Sequence, residues 1–313
     1  MSLWKILLTD GLEESGKAIL RAAAQLDDLR GISPEELINI IPAYHAMIVR
    51  GRTKVTAAII QAAEQLKVIG RAGVGVDNID LAAATSHNIS VVNSPTSTTN
   101  AVAELTLGLM IALARDIPRA DISMKHGQWL KKDLMGYELR GKTLGIIGLG
   151  RIGSTVSKMA VALGMTVLAN DPLLSIEEIR QRGAEPVELV ELYNRSDYIS
   201  LHVPLSPNTR VLVNGQAFAS MKRGVRIICT ARGGIVDETA LLGALESNQV
   251  AGAALDVFAL EPPGLSALVA HPNVIATPHI GAQTFEAQSR AAQDIADEVL
   301  AALQGQPLRW KIV

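Results

Sequence analysis

A short apolar run that passes directly into a glycine-rich turn constrains the fold of this chain more than any other feature. Residues 142–147 have the pattern of a buried strand, and Gly148, Gly150 and Gly153 follow in the order G-x-G-x-x-G, before the helical pattern SKMAVALGM. In this order Gly148 allows a tight turn, Gly150 lets backbone N–H groups approach a pyrophosphate, and Gly153 allows close packing of helix on strand. The helix N-terminus also favours a bound anion. The segment therefore predicts a dinucleotide-binding βαβ unit.

An acidic residue after the next predicted strand indicates which dinucleotide is bound. The strand TVLAN ends before Asp171, about twenty residues beyond the glycines, where a carboxylate can accept hydrogen bonds from ribose hydroxyls. The same negative charge repels a 2′-phosphate, because like charges at short range are unfavourable. We therefore expect NAD rather than NADP as the cofactor.

Strand and helix patterns alternate along the rest of the chain. KILLTD precedes SGKAILRAAAQL and AMIVRG precedes TAAIIQAAEQL, an alternation typical of parallel α/β units. The pattern predicts about ten strands, more than one ordinary sheet needs, and hence two domains. A predicted helix over Thr98–Arg115 joins them, and another over Thr284–Leu303 returns the chain to the first. We expect a substrate-binding domain of residues 1–97 and 284–313 and a dinucleotide-binding domain of residues 98–283.

Composition favours a small-molecule ligand over a macromolecular one. Lys and Arg total 29 against 31 for Asp and Glu, a balance that argues against nucleic acid as the main partner. The one cysteine, Cys229, excludes an intramolecular disulfide, and its apolar strand favours a packing role. We find no metal-ligand spacing and expect no metal site.

The apolar segments do not suggest a membrane protein. The start MSLWKILLTD fits a first strand better than a signal peptide, and Ala101–Ala114 carries Glu104 and is too short to span a bilayer. We expect a soluble, cytoplasmic protein without nucleic-acid or membrane partners.

Three polar residues in the second half of the chain follow predicted strands and suit hydride-transfer chemistry. Reduction of a carbonyl needs a proton donor, a cation for the substrate, and a group that keeps the donor protonated. Arg232 in TARGG offers a planar guanidinium for a 2-oxo acid. His279 in TPHIG can exchange a proton near neutral pH. A carboxylate near it, such as Glu261 before two prolines, favours the imidazolium and holds the ring. Spacing alone does not establish that the three side chains converge.

Ordered motifs over nearly the whole chain resemble the D-isomer-specific 2-hydroxyacid dehydrogenases. The matching segments are VIGRAGVGVDNIDL, NSP, GKTLGIIGLGRIG, TARGGIVDE, AALDVFALEPP and TPHIGAQT. The resemblance implies two doubly wound parallel-sheet α/β domains with a cleft between them, a flavodoxin-like substrate domain and a Rossmann domain that binds NAD. It also implies that Arg232, Glu261 and His279 form the catalytic set.

The resemblance implies further contacts around this set. Asp256 is expected near the nicotinamide carboxamide, backbone N–H groups of the Arg71–Gly75 segment near the substrate carboxylate, and Asn100 at a substrate or hinge contact. The family forms dimers through the helix over Thr98–Arg115 and the following segment, which contains Trp129, so we expect a homodimer or a dimer of dimers. Besides Asp256, the expected cofactor contacts are Gly148, Gly150, Arg151, Ile152, Gly153, Asp171, His202, Pro204 and Thr230.

The choice of substrate depends on basic side chains in the first half of the chain. The match within the family is closest to members that act on 3-phosphoglycerate, and a phosphate requires cations such as Arg50, Arg71 and Lys131. Val74 and Gly75 complete the expected substrate site. Two positions depart from the pattern. Lys131 stands in a segment where an arginine is common, so the planar fork is lost, and Thr230 stands near a position where asparagine is common. Because the chain ends at Val313, we expect no regulatory domain.

Two alternatives stay open at this point. The same cations could bind another small acid, such as hydroxypyruvate, glyoxylate or a sulfonated analogue of lactate. The chain could also be a non-catalytic NAD-binding scaffold, against which the presence of all three residues Arg232, Glu261 and His279 counts.

Overall fold

The computed structural model describes residues 4–313 as two units, each built on one parallel sheet. The first unit comprises the described residues up to Thr98 together with Ala282–Val313, and the second is Thr99–Gly281. Residues 1–3, at the start of the segment that we interpret as the first strand, lie outside the described residues.

The first unit has a five-stranded sheet with all strands parallel in the order β2-β1-β3-β4-β5. This is the flavodoxin-like order, as expected. Its strands are β1 (Trp4–Leu8), β2 (Ala24–Asp28), β3 (Ala46–Val49), β4 (Val68–Arg71) and β5 (Ser90–Asn93). The helices between them are α1 (Glu14–Ala23), α2 (Pro34–Ile40), α3 (Ala57–Ala62) and α4 (Leu81–Ser86), and Ile41–Ala43 form a 3-10 turn.

Strand β2 corrects the sequence prediction, which continued a helical pattern through this segment. The helix α1 ends where Ala24 adopts an extended conformation, and β2 then pairs with β1 from Trp4 opposite Ala24 to Leu8 opposite Asp28. Ladder hydrogen bonds with β1 and burial of Ala24 outweigh the intrinsic helix preference of the sequence AAQL. Tertiary pairing therefore decides the conformation here.

The second unit has a seven-stranded parallel sheet in the order β12-β11-β10-β9-β6-β7-β8. Its strands are β6 (Thr143–Ile147), β7 (Thr166–Asn170), β8 (Glu185–Pro186), β9 (Tyr198–Leu201), β10 (Val225–Cys229), β11 (Val250–Leu255) and β12 (Val274–Ala276). Its helices are α5 (Thr99–Arg115), α6 (Ile117–Lys125), α7 (Arg151–Ala162), α8 (Ile176–Gln181), α9 (Leu189–Arg195), α10 (Gly215–Ser220) and α11 (Glu238–Glu246). The strand order reverses between β6 and β9, which is the switch point of a Rossmann sheet and the usual place for a dinucleotide. The prediction of two doubly wound parallel sheets is confirmed.

The last helix, α12 (Phe285–Leu303), packs in the first unit against α1 and β4. A Cβ added to Gly16 would lie 2.4 Å from the carbonyl oxygen of Ala292, so glycine allows this close helix contact. The buried Glu298 accepts hydrogen bonds from the Arg309 and Trp310 N–H groups. Within residues 4–313, no helix is both long and apolar enough to cross a bilayer.

Candidate active site

The glycine turn after β6 has the geometry that a bound pyrophosphate needs. Gly148 has φ +88°, a conformation that side chains rarely adopt, and a Cβ on Gly153 would lie 2.2 Å from the Gly148 carbonyl oxygen. Gly150 caps α7 without a side-chain hydrogen bond, and a Cβ there would meet nothing within 4 Å. The first N–H groups of a helix lack helical partners and attract anions. The turn therefore fits a dinucleotide phosphate.

Asp171 fixes this turn from the end of β7. Its Oδ2 accepts from the Leu149 N–H at 2.8 Å and its Oδ1 from the Leu173 N–H at 3.0 Å. The carboxylate is half-buried at the tip of the strand, and its expected contact with the ribose stays a prediction. Arg151 and Ile152 open α7, the former exposed and the latter half-buried.

His202 follows β9, the strand beside the glycine turn. Its backbone N–H donates to the Ile147 carbonyl at 2.8 Å, and its Nε2 lies 2.9 Å from the Ser200 hydroxyl. Burial lowers the pKa of its imidazole to about 4, so the ring is neutral at physiological pH. Pro204 is exposed two residues later.

Thr230, which comes directly after β10, is buried. Its hydroxyl lies 2.8 Å from that of Thr106 on α5. The Thr230 hydroxyl therefore has a hydrogen-bond partner within the protein, and its expected contact with the cofactor stays a prediction.

The three candidate catalytic residues follow three neighbouring strands. Arg232 comes after β10, Glu261 after β11 and His279 after β12, and these strands are adjacent and parallel. Carboxyl ends of adjacent parallel strands share one sheet edge. His279 Nδ1 lies 2.8 Å from Glu261 Oε2. The structure therefore brings the histidine and the glutamate into direct contact.

Backbone contacts join the Arg232 turn to the Glu261 loop. A Cβ on Gly233 would lie 1.8 Å from the Phe258 carbonyl oxygen, so only glycine allows this approach. The Phe258 N–H in turn donates to Glu261 Oε1 at 3.1 Å. Arg232 Nη1 donates to the Ala231 carbonyl at 2.7 Å. The turn that carries the guanidinium and the loop that carries the carboxylate are thus held together.

Asp256 holds the loop that carries His279. Its carboxylate is fully buried and accepts from the Thr277 hydroxyl at 2.6 Å, the Ile280 N–H at 2.8 Å and the Gly281 N–H at 2.8 Å. His279 itself has φ +53°, an uncommon conformation for a residue other than glycine. Sequence reasoning expects a nicotinamide contact from Asp256, whereas the structure shows its oxygens engaged by the histidine loop.

The candidate substrate residues of the first unit lie at the carboxyl ends of β3 and β4. Arg50 directly follows β3; its N–H donates to Asp10 Oδ2 at 2.8 Å and its Nη2 donates to Gln288 on α12. Arg71 is the last residue of β4, and its guanidinium lies against Gly73, with Nη1 donating to the Ala72 carbonyl at 3.2 Å.

The loop after Arg71 is fixed at both sides of Val74. The Gly73 N–H donates to the Ser94 hydroxyl at 2.8 Å, and the Asn93 side chain donates to the Val74 carbonyl at 2.6 Å. Within residues 4–313, no hydrogen bond from the N–H of Val74 or Gly75 is found. These two donors suit a carboxylate ligand.

Two further candidates lie in the second unit. Asn100 is exposed in the first turn of α5, and Lys131 is exposed in the segment after α6. Neither is shown in contact with the trio, so their expected substrate contacts stay predictions. Among residues 4–313, no group of histidine, cysteine and acidic side chains could hold a metal ion.

Sequence reasoning missed the residues that position the site. Asp10 at the end of β1 accepts from the N–H groups of Arg50 and Thr53, and Thr277 and Gly233 fix the catalytic loops. The sequence held one signal for Asp10. Like the catalytic candidates, it is a polar residue that follows an apolar strand, two positions after the end of β1. Nothing in the sequence pattern pointed to the contacts of Thr277 or Gly233.

A family model and known proteins match this chain. Residues 107–281 match the model described as D-isomer specific 2-hydroxyacid dehydrogenase, NAD binding domain. D-3-phosphoglycerate dehydrogenase of Synechocystis is 50% identical over 305 residues, which are 97% of this chain and 55% of that protein. The chain thus spans about half the length of the curated relatives it matches.

Solved structures match over their whole length. A glyoxylate reductase from Paecilomyes thermophila has a TM-score of 0.91 and 30% identity, covering 100% of this chain and 99% of its own. A D-lactate dehydrogenase from Aquifex aeolicus, complexed with NAD and lactic acid, has a TM-score of 0.85 and 30% identity, covering 96% of each chain.

Proposed function

This chain belongs to the D-isomer-specific 2-hydroxyacid dehydrogenases, and we propose that it oxidises the C2 hydroxyl of 3-phosphoglycerate to 3-phosphohydroxypyruvate with NAD. One observation carries the catalytic part of the proposal. His279 and Glu261, in contact at 2.8 Å, follow β12 and β11, and β11 in turn pairs with β10, the strand that precedes Arg232. The name of the Synechocystis relative supports the choice of substrate.

The contact with Glu261 supports separate roles for the two imidazole nitrogens of His279 in this proposal. An ionised carboxylate only accepts hydrogen bonds, so Nδ1 carries the proton that is donated to Glu261 Oε2. Nε2 is then the nitrogen that takes the hydroxyl proton during oxidation and returns it during reduction. Glu261 keeps the ring oriented and stabilises the imidazolium that forms.

Arg232 supplies the positive charge for the substrate. Its planar guanidinium suits the carboxylate and the oxygen at C2, where negative charge develops as the proton leaves. The turn Gly148–Gly153 and Asp171 would hold NAD, which when bound would supply the hydride acceptor for C2. The neutral imidazole of His202 beside this turn adds no charge to the cofactor site.

The first unit supplies the anion contacts of the substrate in this proposal. The N–H groups of Val74 and Gly75 bind the carboxylate, and Arg50 and Arg71 bind the phosphate. Asp10 and Gln288 hold Arg50 in place. Lys131 and Asn100 are the further candidates for substrate contact in the second unit.

Steady-state kinetics with a panel of acids tests the substrate. The proposal expects kcat/KM for 3-phosphoglycerate to exceed that for D-glycerate, D-lactate and glycolate by about a hundredfold or more, since a paired dianion contributes several kcal/mol. Equal values for glycerate and phosphoglycerate would contradict the phosphate assignment. A preference for glycolate or D-lactate would assign the chain to another activity within the family.

The same proposal includes a homodimer in the cytoplasm. Large apolar side chains are exposed on α6 and on the following segment: Ile122 (56%), Met124 (56%), Trp129 (76%) and Met135 (83%). Apolar groups in such number favour a protein interface. Sedimentation equilibrium tests the dimer, with Trp129→Ser expected to raise its dissociation constant and Leu173→Ser, at an exposed leucine elsewhere, as the control.

A further inference from the structure

A cavity at the amino-terminal edge of the second sheet combines positive charge with aromatic rings. It has a volume of about 240 Å³ and lies at the starts of β6, β9, β10 and β11. The glycine turn and the catalytic trio lie at the opposite edge of the sheet, after the carboxyl ends of β6, β10, β11 and β12. A strand of five residues such as β10 spans about 15 Å, so the cavity lies well apart from the site proposed above.

The charges around the cavity do not balance. Lys142, Arg223 and Arg226 line it together with one acid, Asp197. Asp197 is already engaged: its Oδ2 accepts from the Thr143 N–H at 2.8 Å and its Oδ1 from Lys222 at 3.0 Å. Burial acts to raise the pKa of Asp197, but these two bonds and Lys142 lower it overall, so its carboxylate is ionised. With Lys222 neutralising it, the three lining cations are left in excess.

Two tyrosine rings hold the central cation in place. The Arg226 Cζ lies 4.7 Å from the Tyr137 ring centroid and 5.6 Å from that of Tyr198, and Lys142 Nζ lies 5.8 Å from Tyr137. Stacking on aromatic faces orders a guanidinium while leaving its N–H donors to bind in the plane of the group. Arg226 is therefore a preorganised donor rather than a mobile surface side chain.

A second observation points to a group that enters the cavity. Tyr198 is 1% exposed, and its hydroxyl is buried without a hydrogen-bond partner in the part of the chain that the structure describes. Buried polar atoms are nearly always paired, so an orphan hydroxyl at the wall of a cationic cavity calls for an external partner. A cavity with three unbalanced cations favours a compact anion with more than one negative charge.

We propose that the cavity formed by Lys142, Arg223, Arg226 and Tyr137 binds a small dianion of the phosphate or phosphate-monoester class. The two guanidinium groups and the ammonium group bind the phosphate oxygens, and the exposed face of Tyr137 lies beside the substituent of a monoester. The proposal does not depend on the substrate of the dehydrogenase, because no residue of the cavity belongs to the catalytic or dinucleotide site.

Calorimetric titration of the full chain with inorganic phosphate tests the site. Arg223→Gln/Arg226→Gln is expected to weaken one phosphate-binding event at least tenfold, since each charged hydrogen bond contributes about a factor of ten. The matched control Arg21→Gln/Arg180→Gln removes two exposed helical arginines and should leave the titration unchanged. If phosphate binding is lost in Arg50→Gln and kept in Arg223→Gln/Arg226→Gln, the anion binds only in the first unit and the proposal is wrong.

A crystal soak keeps the test decisive if the double variant does not fold. Wild-type crystals soaked in selenate should show an anomalous peak between the guanidinium groups of Arg223 and Arg226, and its absence at saturating selenate would overturn the site. Phenyl phosphate distinguishes the two ligand sources. Tighter binding than inorganic phosphate, reduced by Tyr137→Ala, supports an organic monoester, and equal binding supports phosphate itself.

Discussion

The catalytic loops of the second unit and the arginine loops of the first unit are both built at carboxyl ends of parallel strands, but they are fixed in different ways. In the second unit the proposed proton-transfer residue, His279, is itself held by its contact with Glu261, and a buried carboxylate, Asp256, holds its loop. In the first unit Asp10 fixes the backbone of Arg50, while a neutral amide, Gln288, meets its guanidinium.

This difference separates chemistry from substrate choice. Proton transfer needs an imidazole held in one orientation, and small displacements of a catalytic group are costly. An anion contact through a long side chain tolerates more adjustment, since an arginine on a fixed backbone can reach different anions. This chain is similar in fold to a glyoxylate reductase and to a D-lactate dehydrogenase, two proteins named for different small acids.

Removal of the imidazole is expected to have the largest effect. His279→Gln should lower kcat about a thousandfold, because general acid-base catalysis contributes factors of 10² to 10⁴. The dissociation constant of NADH, measured by fluorescence titration, should change less than about threefold. The exposed His126 on the end of α6 provides the control, and His126→Gln should retain full turnover. Retention of kcat in His279→Gln would contradict the assignment of the chemistry to the loops of the second unit, and with it the contrast between the two units.

Loss of the carboxylate that fixes the histidine loop should have the next largest effect. Asp256→Asn removes one acceptor from the loop N–H groups, and we expect kcat to fall about ten- to a hundredfold. Asp237→Asn, at the N-cap of α11, is the matched control because Asn and Asp cap helices equally well. A kcat for Asp256→Asn equal to that of the wild type would limit Asp256 to a structural role.

Sequence patterns predicted the second unit more completely than the first. The order strand, glycines, helix and acid is local, so it indicated the turn at Gly148 and the acid at Asp171 without knowledge of the fold. The contact between His279 and Glu261 joins residues from two separate loops, and only the family resemblance indicated it. Likewise β2 forms through pairing with β1, which no local preference of its sequence reveals. The bonds of Asp10 and Asp256 also depend on tertiary geometry, so the sequence alone did not predict them.

Substitution of Arg50 in the first unit should affect the choice of substrate more than the rate of the chemical step. Arg50→Gln should raise KM for 3-phosphoglycerate about ten- to thirtyfold, because one charged contact with the phosphate is lost. Values of kcat/KM for D-glycerate should change less than about threefold, since this acid carries no phosphate. Arg52→Gln is the control: Arg52 lies two residues after Arg50 in the sequence, and its guanidinium pairs with Asp10. A parallel fall for both acids in Arg50→Gln would assign the arginine to a contact that all substrates share.

The smallest effect on turnover is expected from the carboxylate that fixes the first unit's backbone. Asp10→Asn keeps one acceptor oxygen, so the amide cannot accept both from the Arg50 and Thr53 N–H groups, which share Oδ2, and from the Thr53 hydroxyl on Oδ1. We expect kcat to change less than about threefold while the free energy of unfolding falls by about 1–2 kcal/mol. Burial alone would raise the pKa of Asp10, but hydrogen bonds from Thr53 and Arg50 lower it overall below 3.8.

The lowered pKa of Asp10 fixes the sign of the pH dependence. A carboxylate whose folded pKa is depressed stabilises the fold above its unfolded pKa, and this contribution disappears as the pH falls through the folded value. Urea denaturation should therefore show a constant gap between wild type and Asp10→Asn from pH 7 to about pH 5, and a shrinking gap below it. Asp121→Asn, in an exposed i,i+4 pair, should change stability by less than about 0.5 kcal/mol. A large loss of kcat in Asp10→Asn would mean that the first unit, too, must be fixed for the chemistry, and the distinction between the two sets of loops would fail.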